Sequence, residues 1–293
     1  MRFELSGSLI RPDPMIITYT ADDTFVPLTH IDLGFTYFEV ICIGGGGGIG
    51  GGIDTGVGIR SYGGAGGGGG FHRIRGLLSA LPATCSIVVG QGGAVGTEHD
   101  SNPALTTDGG DGEASTFNTN TCRASGGKGG KRVQVISSTV TSQAHGGDGG
   151  IGNRTVAGGG ALGGTAGTPT AEGPGTPGTN GIDGSISNNG VVGKGGGGGA
   201  GGVGTYAALT HNAATAGGRG SYNPGDPSVY GPGEPPGPDE TTGSLNIKPG
   251  GAGGAKASPL TGLPTLYGRS FGGPGLGRRA GENGVVIIRL TIE

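Results

Sequence analysis

Seventy-seven of the 293 residues are glycine, about a quarter of the chain, where an ordinary domain carries roughly 7%. That density excludes any long α-helix, because each interior glycine costs about 1 kcal/mol relative to alanine. It excludes with it the helix-rich architectures of this length, such as nucleotide-binding α/β sheets and α/β barrels. Hydrophobic residues make up 32% and tryptophan is absent, so the chain can bury one modest core. The balance of 18 Lys+Arg against 21 Asp+Glu gives a net charge of −3, and no basic run interrupts it. No nucleic-acid partner is expected of such a surface.

The first residues, MRFELSGSLIRPD, lack the apolar stretch of a secretory leader, and no segment approaches 18 apolar residues. Synthesis in a cytoplasm and no membrane span are therefore expected. Three cysteines (Cys42, Cys85 and Cys122) make no CxxC pair and leave one over, so no disulfide framework is implied. Cys42 and Cys85 sit in apolar runs and read as buried thiols.

Strand signals gather at the two ends. Met15–Tyr19, Phe35–Ile43, Phe71–Leu78 and Ser86–Val89 come first, with weaker runs at Ala114–Phe117, Cys122–Ala124 and Val133–Val140. In the second run, alternation puts Phe38, Val40 and Cys42 on one face and Tyr37, Glu39 and Ile41 on the other. The strongest signal is the last, Val285–Ile292. Val286, Ile288, Leu290 and Ile292 make one wholly apolar face, while Arg289 and Thr291 mark the other as half-exposed. A long excursion that returns to a shared sheet explains such an ending; a disordered chain does not.

Between these ends, glycine fills 44–70 and dominates 126–284. Disorder is one reading of such composition. Collagen is a second, but its strict triplet fails: Gly175, Gly178, Gly181 and Gly184 keep phase until Ser187 breaks it. A third reading is a set of polyglycine-II helices packed side by side. Each has three residues per turn and no internal hydrogen bond, so its amides must bond to neighbours, and only glycine lets backbones approach so closely. Ordering each residue costs roughly 1–2 kcal/mol, which a lone helix cannot recover but a pinned lattice of N–H···O=C bonds can offset.

The order of motifs carries a resemblance. Thr24-Phe25-Val26-Pro27 leads into FEVICIGGGGG; then come GGGGGFHRIRGLLSALP, a strand closed by VGQGG, DGGDGEASTF, ASGGKGG and a terminal GENGVVII. This set resembles the glycine-rich domain of bacteriophage tail-tip, tail-fibre and minor tail proteins over residues 24–293. The resemblance implies an all-β fold with almost no α-helix: a small β-sandwich built from both chain ends (24–125 plus 284–293, with an embedded glycine-rich loop 44–70). It further implies an excursion over 126–283 of packed polyglycine-II helices with exposed loops at 205–249. Residues 1–23 would be an arm that docks to the tail.

Chemical motifs are few. Gly45, Gly47 and Gly50 satisfy G-x-G-x-x-G after a strand, yet the glycines that follow cannot form the helix whose N-terminus would hold a pyrophosphate. No Walker A sequence, no G-x-S-x-G elbow and no H-E-x-x-H spacing occurs, and the five histidines (His30, His72, His99, His145, His211) show no ligand pattern. Asp108, Asp111 and Glu113 are a candidate calcium cluster, set against a plain solvated turn. The best candidate for partner contact is Ser221–Glu240, with Tyr222 and Tyr230 as amphipathic rings and Asp226, Glu234, Asp239 and Glu240 as acceptors among proline-stiffened turns.

The expected protein is a non-catalytic virion component without cofactor, located on the phage tail. Its partners would be other tail proteins and a host-surface receptor, glycan or protein, and a homo-oligomer, with a trimer favoured, is expected of the family. The alternatives are a glycine-rich ice-binding protein and a hydrolase of envelope glycans.

Overall fold

The computed structural model describes residues 13–54, 59–61, 63–98, 105–119, 121–132, 146–150 and 280–292, with the backbone of six further short strands between 186 and 247. Along the chain run β1 (Met15–Tyr19), β2 (Asp23–Phe25), α1 (Pro27–Ile31), β3 (Tyr37–Ile43), β4 (Ile53–Asp54), β5 (Ile59–Ser61), β6 (Phe71–Leu77), β7 (Cys85–Val88), β8 (Ser115–Phe117) and β9 (Cys122–Ala124). Then come β10 (Ile186–Ser187), β11 (Val192–Gly193), β12 (Val203–Thr205), β13 (Thr210–Asn212), β14 (Glu240–Thr242), β15 (Leu245–Ile247) and β16 (Val285–Thr291). Helix is confined, among the described residues, to the single turn of α1 and a 3-10 turn at Leu78–Ala80. The fold is all-β, as the glycine content requires.

Of four sheets among the described residues, the two that enclose the core have the orders β1-β16-β3-β6-β11-β10 and β2-β7-β8-β9, all pairs antiparallel, and the others are β13-β12-β5-β4 and β14-β15. The last strand thus lies between β1 and β3, with Ile288 opposite both Ile17 and Val40. Met15–Tyr19, inside the segment expected to dock as an arm, is built into this sheet. The core lies between the sheets. Val40, Cys42, Val286, Ile288 and Leu290 come from the first; Phe25, Cys85, Ile87, Phe117, Cys122 and Ala124 come from the second. The second face of β16 is less open than its polar residues suggest. Arg289 and Thr291 are half-buried, whereas Val285 and Ile287 are 0% and 1% exposed.

The glycine runs continue these strands as a lattice. From 44 to 51 consecutive amides turn to different neighbours, and two of the three directions are seen to recur every third residue. Gly44, Gly47 and Gly50 donate to the carbonyls of Gly70, Gly67 and Gly64; Gly45, Gly48 and Gly51 donate to Glu113, Gly110 and Thr107; Gly46 donates to Glu282. Carbonyls follow the same rule, Gly45 and Gly48 accepting from Gly127 and Gly130, Gly46 and Ile49 from Gly93 and Gly96. A β-strand bonds two neighbours at a period of two; this period of three is that of a polyglycine-II helix. Seven such segments are found among the described residues: 44–51, 63–70, 90–97, 106–113, 125–132, 146–150 and 280–284. Of the expected 126–283, residues 126–132, 146–150 and 280–283 lie in the lattice and most of the rest lies outside the described residues; the lattice also includes segments before 126, and 44–51 and 63–70, from the expected embedded loop, supply its centre.

Close packing explains the composition. A Cβ on Gly47 would overlap the carbonyl of Lys128, and one on Gly48 the carbonyl of Ala94. Residues 44–52 and 63–70 are buried throughout. In the outer segments every third position faces water and carries a side chain: Gln91, Ala94 and Thr97; Asp108 and Asp111; Lys128 and Lys131.

Candidate functional site

Three arginines surround one carboxylate on the outer face of the first sheet. Register places Arg289 of β16 and Arg75 of β6 directly opposite Glu39 of β3, and Arg73 opposite Ile41, two positions along and so on the same face. Glu39, whose side chain is only 7% exposed, accepts a hydrogen bond from Arg75 Nε at 2.8 Å. Arg73 Nη1 lies 3.4 Å from the same oxygen and Arg289 Nη1 lies 3.9 Å from the other. A buried carboxylate needs one cation to balance it. Here it has three, so the patch keeps two positive charges on a chain that is acidic overall. Beside the patch opens a cleft of about 330 Å³ that includes Tyr37, Arg75, Arg289 and Thr291 in its walls.

The carboxylates weighed as calcium ligands hold neighbouring lattice segments together. Asp111 accepts from Lys128 Nζ at 2.6 Å and from the Gly129 amide at 2.9 Å. One triplet along, Asp108 accepts from Lys131 Nζ at 2.8 Å and from the Arg132 amide at 2.9 Å. Burial alone would raise both carboxyls, but these amides and ammoniums hold them below the usual carboxylate range, and Asp108 in turn raises Lys131. Glu113 turns elsewhere, its Oε2 accepting from the Gln91 amide at 3.3 Å. The three do not converge, and no group of three or more His, Cys, Asp or Glu is placed to hold a metal among the described residues.

A second polar group lies inside the core. Cys122 Sγ donates to the His72 carbonyl at 3.4 Å, Cys42 Sγ donates to the Cys122 carbonyl at 3.6 Å, and the Arg123 amide donates to His72 Nδ1 at 3.0 Å. The last bond leaves the ring proton to Nε2. Burial pushes the Cys42 and Cys85 thiols up, so both stay protonated, as their apolar surroundings in the sequence imply.

The G-x-G-x-x-G glycines Gly45, Gly47 and Gly50 spend their amides on Glu113, Gly67 and Gly64 at 2.9 Å each, and among the described residues no helix follows them before β6. A pyrophosphate finds no donor there. Of the residues expected to contact a partner, Tyr222, Asp226, Tyr230, Glu234 and Asp239 lie outside the described residues. Glu240 opens β14, its backbone opposite Ile247. Sequence reasoning placed Glu39 on the face opposite Phe38, Val40 and Cys42 but passed over Arg73 and Arg75. Their spacing of two, on the strand that follows the second glycine run, was the available signal.

Among the described residues no helix is long and apolar enough to cross a membrane. The family model described as a glycine-rich domain matches residues 20–291. No curated protein matches the chain.

Proposed function

The chain belongs to the glycine-rich domain family, and on that premise we propose that it is a structural protein of a bacteriophage tail: a minor tail, tail-tip or fibre component that helps recognise the host surface without catalysis. The observation that carries this reading is the anchorage of the lattice. Segments 146–150 and 280–284, on either side of the long excursion, are both bonded into it, through Gly147 and Gly150 to Ala65 and Gly68 and through Gly281 and Gly284 to Gly93 and Gly90. Whatever the stretch between them presents, including Ser221–Glu240, starts and ends on a fixed scaffold. Fixed ends lower the entropy lost when a loop meets its partner. The partners proposed are other tail proteins, a host receptor and further copies of the chain, with a trimer favoured; several copies would strengthen weak single contacts by avidity.

The test is adsorption. Purified protein added to host cells before the phage is expected to bind the cells and slow phage attachment, and a tagged copy is expected on the tail by electron microscopy. Absence of both binding and blocking sinks the recognition role, while a tagged tail with no blocking keeps the protein as a spacer for another adhesin.

A further inference from the structure

The arginine patch carries more positive charge than the described residues around it balance. Glu39 draws on Arg75 through Nε, and the Arg75 side chain, 64% exposed, also lines the cleft. Arg289, 36% exposed, has Glu39 Oε2 at 3.9 Å, an ion pair beyond hydrogen-bond reach. Arg73, the least exposed of the three at 21%, lies close enough to neutralise the buried carboxylate with Arg75. Two guanidiniums on the strands that flank β3, Arg75 on β6 and Arg289 on β16, thus keep donors for an acceptor from outside. Their planar forks match a carboxylate or a phosphate. The cleft beside them adds the Tyr37 ring and the Thr291 hydroxyl, an apolar face and a hydrogen-bonding group such as a sugar ring engages. Its volume of about 330 Å³ suits a group of monosaccharide size.

We propose that this cleft binds an anionic sugar, with Arg75 and Arg289 clamping its carboxylate or phosphate and Tyr37 and Thr291 meeting the ring. The site stands apart from the tail reading: it rests on the described sheet alone and is assayed on the isolated protein. Binding is measured by calorimetry and by ligand-observed NMR at low ionic strength, with glucuronate, glucose 6-phosphate, glucose, acetate and inorganic phosphate as probes. At least one of the two charged sugars is expected to bind saturably and more tightly than its bare anion, with glucose silent; which of them wins distinguishes a carboxylate ligand from a phosphate one. Arg75→Ala and Arg289→Ala are each expected to weaken binding about tenfold, the size of one lost charge-assisted hydrogen bond. Arg289→Ala is expected to melt near the parent, whereas Arg75→Ala also takes the hydrogen bond from buried Glu39 and is expected to melt lower, so its binding is measured below that transition. Tyr37→Ala is expected to erase the advantage over the bare anion. Glu39→Gln, which removes the competing carboxylate, is expected to tighten binding severalfold where it folds, and the two arginine variants decide the matter where it does not. The proposal is overturned if neither charged sugar binds, if acetate or phosphate binds as well as the sugars do, or if the arginine variants bind unchanged.

Discussion

Gly47→Ala tests the lattice at its centre. The new Cβ would meet the Lys128 carbonyl, which is backbone and cannot rotate away, so segment 125–132 must move outward. Among the bonds that depend on its position are three with the central segments: Gly127 to the Gly45 carbonyl at 2.9 Å, Gly130 to the Gly48 carbonyl at 2.9 Å, and Gly67 to the Lys128 carbonyl at 2.8 Å. At about 1 kcal/mol net for each bond, their loss removes about 3 kcal/mol, and any amide left buried without water adds to that. The stiffer unfolded chain of alanine returns about 0.4–1 kcal/mol, too little to compensate. For a chain of this size the deficit lowers the melting temperature by roughly 5–10 °C. Scanning calorimetry reads the shift, and amide hydrogen exchange locates it, with faster exchange expected at Gly127 and Gly130. Ala94→Ser, on an outward position of the same lattice, is the control and is expected to change neither. Equal melting of Gly47→Ala and the parent, with protection at 125–132 intact, would refute close packing of these segments.

Phe117, fully buried and 6.2 Å and 6.4 Å from the rings of Phe25 and Phe38, joins the two sheets; Phe117→Ala is expected to cost about 3–5 kcal/mol in chemical denaturation. All three thiols are buried, so a colourimetric thiol reagent is expected to count none in the native protein and three in denaturant. Acid should weaken the fold in two stages, read as melting temperature against pH. Burial lowers His30, which stacks on Phe25 at 5.0 Å, so the unfolded chain takes its proton more readily and stability falls as pH drops below 6.5; His30→Leu removes that stage. Asp108 and Asp111 titrate lower folded than unfolded, so their contribution, present above 3.8, is lost as pH falls through their depressed values; Lys128→Ala with Lys131→Ala shrinks that loss and leaves the first.

Strand existence was legible because alternating β-branched and aromatic residues force one pleated face inward. Met15–Tyr19 and Cys122–Ala124 agree with their expected bounds, the others within the described residues shift by a residue or two at the ends, and Val133–Val140 lies outside the described residues. Asp23–Phe25 and Pro27–Ile31 were not legible, being too short for any period to show; the first is paired by β7 and the second is started by a proline whose fixed backbone suits a first turn. The lattice was legible in kind, while its segments before residue 126 were not. Its triplet signature survives only where segments face water, as at Asp108 and Asp111 or Lys128 and Lys131. At the centre every position is enclosed, every side chain but those of Ile49 and Ala65 is gone, and with the side chains goes the period. A search for phased triplets therefore finds the rim and misses the axis. The arginine patch failed for another reason: the faces of Glu39, Arg73, Arg75 and Arg289 follow from alternation, but their meeting depends on a register between strands far apart in the chain.

The same chain positions explain why a lattice with so little apolar content can stand. Segment 44–51 continues β3, 63–70 leads into β6 and 280–284 into β16, and in the lattice 44–51 bonds both of the others, as β3 bonds β6 and β16 in the sheet. On the second sheet 90–97 follows β7, 106–113 precedes β8 and 125–132 follows β9, again with neighbours preserved, as in Thr107, Gly110 and Glu113 donating to Thr97, Ala94 and Gln91. Each sheet is thus prolonged, strand by strand, into a layer of polyglycine-II helices. What changes at the boundary is the gap between the layers. Packed sheets stand roughly 10 Å apart because side chains fill the space between them. Once side chains end, the layers can close until Gly48 donates to Gly110 across the former gap at 2.9 Å and Gly130 donates back to Gly48 at the same distance. The apolar core sets strand order and register, which a glycine helix cannot specify for itself, and the lattice inherits both. On this account, changes that loosen the sandwich, Phe117→Ala among them, should raise amide exchange throughout 44–51 and 125–132, whereas changes at outward lattice positions should leave the core untouched.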